Sequence, residues 1–387
     1  YLRFPHIHTL NNKSKINKNK NNNMHVTISK EQLLDRLELV GKVSTKHVSL
    51  PVLQCVLLEA KNNSLTLRST NLEIGIESTV DVQMIEEGLI AVPANTLTQT
   101  INYMSQKDIT LRAEEGVLVV EGAGSETNIK AIPHEEFPII PKIEEKGQTI
   151  NKSLFALGIK TAAFAASQSS IKPELGSVYV LQKKEHSLTF VCTDSFRLME
   201  KTVPQKGVVL NDPILIPQKN ALELARVCDI REGEPEFQVN ENQCALSFPD
   251  GVYITSRLTS GSFPDYEQII PKEYSTHSTV LKNDLAHAFK KTNIFLNKFM
   301  QVTLHVNEKS VTVSANSGEV GTTTESISAQ TEGEDLTLSF NQRYISEPLS
   351  HISDDSIVMH FAGLGRPLVI KGVSDVTLRY LVMPMNK

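Results

Sequence analysis

No stretch of this chain approaches the roughly 20 consecutive apolar residues that a membrane-spanning helix needs, so a bilayer partner is not expected. Its four cysteines, Cys55, Cys192, Cys228 and Cys244, show no CxxC spacing and read as small buried apolar groups in a reducing compartment. The 11 histidines do not cluster at metal-ligand spacing, and HExxH is missing. Gly122-Ala123-Gly124 lacks the third glycine of a dinucleotide loop, and Gly363-Leu364-Gly365 sits in a hairpin-like context, so both read as turns. Asp194 adjoins Ser195, but no motif places a histidine to complete a triad; Asp194 reads as a turn former after a strand. These absences argue against catalysis, a metal centre or a bound cofactor.

What is present is ordinary in bulk and unusual in arrangement. The 387 residues are 40% hydrophobic and 21% charged, the profile of a soluble protein large enough for several cores. Residues 1–23 differ. From Asn11 to Asn23 they are almost wholly Asn and Lys and cannot build a core, and the apolar centre of a signal peptide is missing. Met24 directly precedes the first patterned segment, which marks it as the expected start and residues 1–23 as a disordered or artefactual leader.

The chain repeats itself. Ser64-Leu65-Thr66-Leu67-Arg68-Ser69-Thr70-Asn71 returns as Ser187-Leu188-Thr189-Phe190-Val191-Cys192-Thr193-Asp194 and again from Ser310 to Asn316, at offsets of 123 residues. Val92-Pro93-Ala94-Asn95, Ile216-Pro217-Gln218-Lys219 and Phe340-Asn341-Gln342-Arg343 recur at 124. Phe137-Pro138, Phe263-Pro264 and Met383-Pro384 recur more loosely. This period exceeds the roughly 20–50 residues of solenoid units and matches whole domains. Domains are expected at 24–147, 148–274 and 275–387, joined through proline-rich segments.

Within each repeat two helices alternate with strands. Ser29-Lys30-Glu31-Gln32 is a capping-box pattern ahead of the stripe Leu33, Leu37, Val40 and Val43. A small-residue helix is expected near Ser153, and a third repeat helix over 282–298. Second helices follow the Pro/Asn markers, over 94–107, 217–229 and 341–352; Pro348 should kink or shorten the last. The fold class is α+β: three tandem similar domains, each two helices on antiparallel sheet.

The net charge of −5 is unevenly spread. The six predicted helices carry net +6, the leader +5 and everything else −16. Helices sharing one face would present a weak cationic surface on an acidic body, able to hold phosphates without reading bases.

Leu50-Pro51-Val52-Leu53, Thr193-Asp194-Ser195-Phe196-Arg197-Leu198, Phe263-Pro264-Asp265-Tyr266 and Tyr380-Leu381-Val382-Met383-Pro384-Met385 resemble the bacterial DNA sliding clamp family, the beta subunit of DNA polymerase III. The resemblance runs from about Met24 to Lys387. It implies the DNA clamp fold and a head-to-tail homodimeric ring around duplex DNA. Such a ring hydrolyses nothing; it slides without sequence specificity and tethers the replicative polymerase in the bacterial cytoplasm. By resemblance, Ile294, Phe295, Lys298 and Phe299 form one side of the dimer seam, with Thr127 and Ile129 on the other; the family often has an aromatic where Thr127 stands.

The resemblance also implies a peptide pocket between the second and third domains, made by Leu175, Thr193, Arg197, Leu198, Pro264, Ile269, Asn341, Tyr344, Pro367, Leu381, Met383, Pro384 and Met385. Its implied partners are the polymerase alpha subunit, the clamp-loader delta subunit and other clamp-motif proteins. From pattern alone, Tyr380–Met385 reads equally as a terminal strand packed on its own core. DNA contacts implied are Lys46, His47, Lys172, Lys219, Lys290, Lys291 and Lys298. The family often has Arg at the positions of His47 and Asn95, so somewhat weaker DNA contact is expected. The alternative is a non-catalytic repeat scaffold that binds proteins without encircling DNA.

Overall fold

The computed structural model describes residues 23–44, 49–122 and 124–385. The expected leader therefore lies almost wholly outside the described residues. The chain divides into two compact units, one ending at Ile140 and one beginning at Pro141.

The first unit runs β1 (Met24–Ser29), α1 (Lys30–Gly41), β2 (Cys55–Lys61), β3 (Ser64–Thr70), β4 (Ile74–Asp81), β5 (Gln83–Glu86), β6 (Gly88–Pro93), α2 (Ala94–Tyr103), β7 (Asp108–Glu114), β8 (Val117–Gly122) and β9 (Ser125–Lys130). Its strands order as β5-β1-β7-β8-β9 and β4-β3-β2-β6, all neighbours antiparallel. Ser29 caps α1, its hydroxyl accepting from the Gln32 amide at 3.3 Å. Leu33, Leu37 and Val40 are fully buried, as the helical spacing requires.

The second unit holds two further rounds of the same order. The first round is β10 (Gln148–Thr149), α3 (Lys152–Ala163), β11 (Ser177–Leu181), β12 (Ser187–Thr193), β13 (Arg197–Pro204), β14 (Ile214–Pro217), α4 (Gln218–Ile230), β15 (Glu236–Val239), β16 (Gln243–Ser247) and β17 (Val252–Arg257). The next is β18 (Thr276–Leu281), α5 (Lys282–Thr292), β19 (Gln301–Val306), β20 (Ser310–Ser317), β21 (Gly321–Gly333), β22 (Leu336–Asn341), α6 (Gln342–Ser346), β23 (Ser356–Phe361), β24 (Leu368–Gly372) and β25 (Leu378–Val382). β13 pairs antiparallel with β25, so one twelve-stranded sheet runs through both rounds. That shared sheet makes them one compact unit.

Helices pack closely where residues are small. At Gly158 on α3 an added Cβ would fall 2.3 Å from the Phe190 ring, so only glycine lets the helix approach that strand. The four cysteines are buried free thiols, and burial pushes Cys55 up to about 12. Three helix boundaries correct the sequence reading. α2 ends at Tyr103, and α5 ends at Thr292 before a 3₁₀ turn, Asn293–Phe295, leaving Leu296 and Lys298 outside the helix. α6 spans five residues and gives way to a 3₁₀ turn, Glu347–His351, containing the buried Pro348, which is the shortening that proline imposes.

Candidate functional site

The repeat at offset 123 places the same turn at the end of β3 and of β12. Thr70 Oγ1 donates to the Ile74 carbonyl at 2.9 Å and accepts from the Leu72 amide, and Asn71 Oδ1 accepts from the Glu73 and Ile74 amides. In the next repeat Thr193 Oγ1 donates to the Arg197 carbonyl at 2.6 Å and accepts from the Ser195 amide. Asp194 Oδ1 accepts from the Phe196 and Arg197 amides, both at 3.0 Å. Leu72 and Ser195 both stand at φ +77°, a left-handed conformation that the side-chain hydrogen bonds on either side hold in place. Asp194 is thus a turn former, as its place after a strand suggests. The second copy leads into β13, which pairs with β25 of the next repeat.

A row of directly opposed residues runs across successive strands of the shared sheet. Thr193, Leu198, Leu381, Val369, His360, His277 and Glu332 follow one another across β12, β13, β25, β24, β23, β18 and β21. Opposed residues share a face. Leu198, Leu381 and Val369 are buried there with Val191 and Tyr266, and Tyr179, Phe263, Ile270, Tyr274 and Met383 pack against them half-buried. Met383 is held by its amide donating to the Phe196 carbonyl at 2.8 Å, and the Phe196 ring beside it is 60% exposed.

On the other face Arg197 is 6% exposed. Its guanidinium donates to Asp194 and to the Phe164 carbonyl, both at 3.0 Å, and to the Glu347 carboxylate. It lies between the Phe164 and Tyr344 rings, 5.4 and 4.5 Å from their centroids. Burial alone would raise the Glu347 carboxyl; its bonds to Arg343 and Arg197 outweigh this and hold it below the usual range. Tyr380, fully buried, donates its hydroxyl to the Tyr344 carbonyl at 2.6 Å. Beyond β25 the Met385 amide donates to the Ser339 carbonyl at 2.8 Å.

The structure therefore brings Thr193, Leu198, Leu381 and Met383 together on one face, and Arg197 with Tyr344 on the other. Asn341 caps α6 beside Tyr344, accepting from the Arg343 amide. Pro264 and Ile269 are exposed on the segment whose Phe263, Tyr266 and Ile270 enter the cluster. Pro367 is half-buried just before Leu368 on β24, Leu175 is buried in the loop between α3 and β11, and Pro384 is half-buried between Met383 and Met385. Sequence reading missed Tyr179, Tyr266, Val369 and Glu347. Tyr266 lay inside a quoted motif, and its chemistry was the available signal. Its hydroxyl donates at 2.7 Å to Glu200, whose carboxylate also meets Lys183 at 2.6 Å. Burial pushes the Glu200 carboxyl up, but these partners and Arg379 bring it below its ordinary value.

Of the expected DNA contacts, Lys46 and His47 lie outside the described residues. Lys172 is exposed in the loop after α3, and Lys219 in the first turn of α4. Lys290 and Lys291 end α5, where cations complement the helix dipole. Lys291 is engaged by Glu325 at 2.7 Å, and Lys298 lies past the helix with its ammonium 5.0 Å over the Phe299 ring.

Of the expected seam residues, Ile294 and Phe299 are exposed and Phe295 is half-buried. Thr127 is half-buried, whereas Ile129 is buried within its own unit, because strand alternation turns it to the core. Among the open strand edges of the described residues, one lies in the first repeat and one in the third. β9 pairs with β8 alone. Residues 321–328 of β21 pair only with β20, because β18 pairs with residues 329–333. Also among the described residues, no group of three or more His, Cys, Asp or Glu is placed to hold a metal ion, and no helix is long and apolar enough to cross a membrane.

Three rounds of two helices on antiparallel sheet, the last two sharing one sheet through β13 and β25, define a protein of the clamp-fold class. The chain belongs to the DNA polymerase III beta subunit family: the N-terminal domain matches residues 24–141, the central domain 149–265 and the C-terminal domain 267–386. It is 26% identical over 378 residues to a beta sliding clamp of Staphylococcus aureus, covering 94% of this chain and 99% of that protein. The DNA polymerase III subunit beta of Pseudomonas aeruginosa superposes with a TM-score of 0.89 at 26% identity, over 94% of this chain and 100% of that one. The beta subunit of Thermotoga maritima gives 0.88 at 25%, with the same coverage.

Proposed function

We propose that this chain is a DNA sliding clamp, a non-catalytic processivity factor whose ring of two copies encircles duplex DNA and tethers its polymerase. Its domains on this reading are 24–147, 148–274 and 275–387. The observation that supports the ring is a pair of open strand edges among those at which the sheets end. β9 offers one in the first repeat and residues 321–328 offer another in the third. Unpaired edges invite strand addition. Joining β9 of one copy to residues 321–328 of the next is a heterologous contact, and two such contacts close a dimer. Ile294, Phe295 and Phe299 then supply apolar contact beside the seam, with Thr127 opposite.

Helices carrying Lys219 and Lys290, with Lys172 beside them, face the DNA and hold phosphates without base readout. Lys291 and Lys298, each already engaged within the chain, contribute less. Partners insert an apolar linear motif into a groove over Leu198, Leu381 and Met383, where flexible methionine walls suit several sequences. The polymerase alpha subunit, the clamp-loader delta subunit and other clamp-motif proteins are the expected occupants. The protein works in the bacterial cytoplasm, at the replisome.

The test is topological. The protein is loaded onto nicked circular DNA by a clamp loader, and the circle is then linearised. Prompt release on cutting is expected of a ring. Retention through the cut means surface binding and overturns the reading.

A further inference from the structure

The row that supplies Leu198 and Leu381 ends in two histidines. His277 on β18 and His360 on β23 are direct cross-strand partners. Their Nδ1 atoms stand 2.6 Å apart, and their half-buried rings meet at 81°. The Tyr274 ring packs against both, with centroids 5.7 and 5.1 Å away. Glu332 stands opposite His277 on β21, and Lys371 lies on the strand next to His360.

We propose that His277 and His360 form a bidentate site for a divalent transition-metal ion of tetragonal preference, copper(II) or nickel(II). The geometry selects this class. Metal–imidazole bonds of about 2.0–2.1 Å and the 2.6 Å separation subtend roughly 80° at the ion. Opening by about 0.3 Å gives the 90° of adjacent tetragonal positions, whereas a tetrahedral ion needs more than twice that movement. Imidazole suits both ions, and copper(II) binds tightest of the divalent series.

The protonation state also fits. The present contact needs one ring to donate and the other to accept. Binding moves the donor's proton from Nδ1 to Nε2, so no net proton is released. Water fills the remaining positions, and Glu332 offsets part of the Lys371 charge. The ion would cross-link β18 to β23 within the twelve-stranded sheet. This proposal is independent of the clamp reading.

Copper(II) alone, titrated into the full chain and followed by electron paramagnetic resonance, tests it. The expected spectrum shows two coordinating nitrogens. Affinity should fall about tenfold or more in His277→Gln and in His360→Gln, and the signal should vanish in the double variant. The melting temperature should rise with copper in the unaltered protein but not in the double variant. Undiminished binding by the double variant, for instance through His6, His8 or His25, overturns the proposal. Nickel(II) broadening of NMR signals in the unaltered protein needs no substitution: it should centre on β18, β23 and Tyr274, and broadening confined elsewhere refutes the site.

Discussion

Arg197 in the second repeat donates to the Glu347 carboxylate in the third, and the same guanidinium closes the Asp194 turn and caps the Phe164 carbonyl. One buried side chain thereby ties a turn, a helix end and the next repeat together, on the face of the sheet opposite Leu198 and Leu381.

Arg197→Ala should destabilise the second unit by about 2–4 kcal/mol, since it leaves buried acceptors without a donor. Glu347 keeps Arg343, which holds the cost below that of a fully orphaned charge. Lysine cannot reproduce the fork, so Arg197→Lys should fall between. Urea unfolding measures both. A loss under about 0.5 kcal/mol for alanine would show that the network is not structural.

Met383 and Leu198 should separate binding from stability. Leu198 is fully buried, so Leu198→Ala should cost about 2–5 kcal/mol and reports mainly on folding. Met383 is half-buried at the groove, so Met383→Asp should leave the melting transition within a few degrees while weakening a polymerase-derived peptide at least tenfold, or about 1.4 kcal/mol. Calorimetric titration decides it, and undiminished peptide affinity removes Met383 from the site.

Ile294 is 68% exposed beside the proposed seam. Ile294→Asp should change monomer stability by no more than about 0.5 kcal/mol while shifting the dimer toward monomer. Sedimentation velocity reads this directly. A dimer of undiminished strength would place the seam elsewhere.

Acid should act in two windows. His360 is lowered from 6.5 to about 4 in the folded chain, so between those values the unfolded state binds more protons and stability is lost as the pH is lowered. Allowing for solvent screening, this contributes roughly 1–2 kcal/mol. Glu200 is held below 4.5, so its contribution is complete above that value and is lost as pH falls through the folded one. Denaturant midpoints from pH 7 to pH 3 should show both declines. His360→Gln should flatten the upper window and Glu200→Gln the lower; an unchanged upper slope in His360→Gln would assign that decline to another group.

Much of the fold was legible because its signals are local. The 123-residue repeat of Ser-Leu-Thr strands, the Ser29 cap and the Thr193-Asp194 turn each rest on residues only a few positions apart. Pro348 shortened its helix for the same reason. The groove was legible only through its motifs. Leu198 and Leu381 are far apart in the chain, and nothing in either strand's alternation says that β13 pairs with β25. The burial of Ile129 was not legible, because it depends on which face of β9 meets the core. Lys298 was misjudged because the helix it was assigned to ends sooner than its charge pattern suggests.

The amino-acid order alone therefore determined the threefold succession of strands and helices, since periodicity and turn chemistry act over a few residues. Only the tertiary structure decided which strands keep an open edge, which lysines are already engaged, and that two distant histidines meet at the end of the row that supplies Leu198 and Leu381. Those outcomes depend on strand register, which is settled by the burial of whole faces and cannot be read from any single segment.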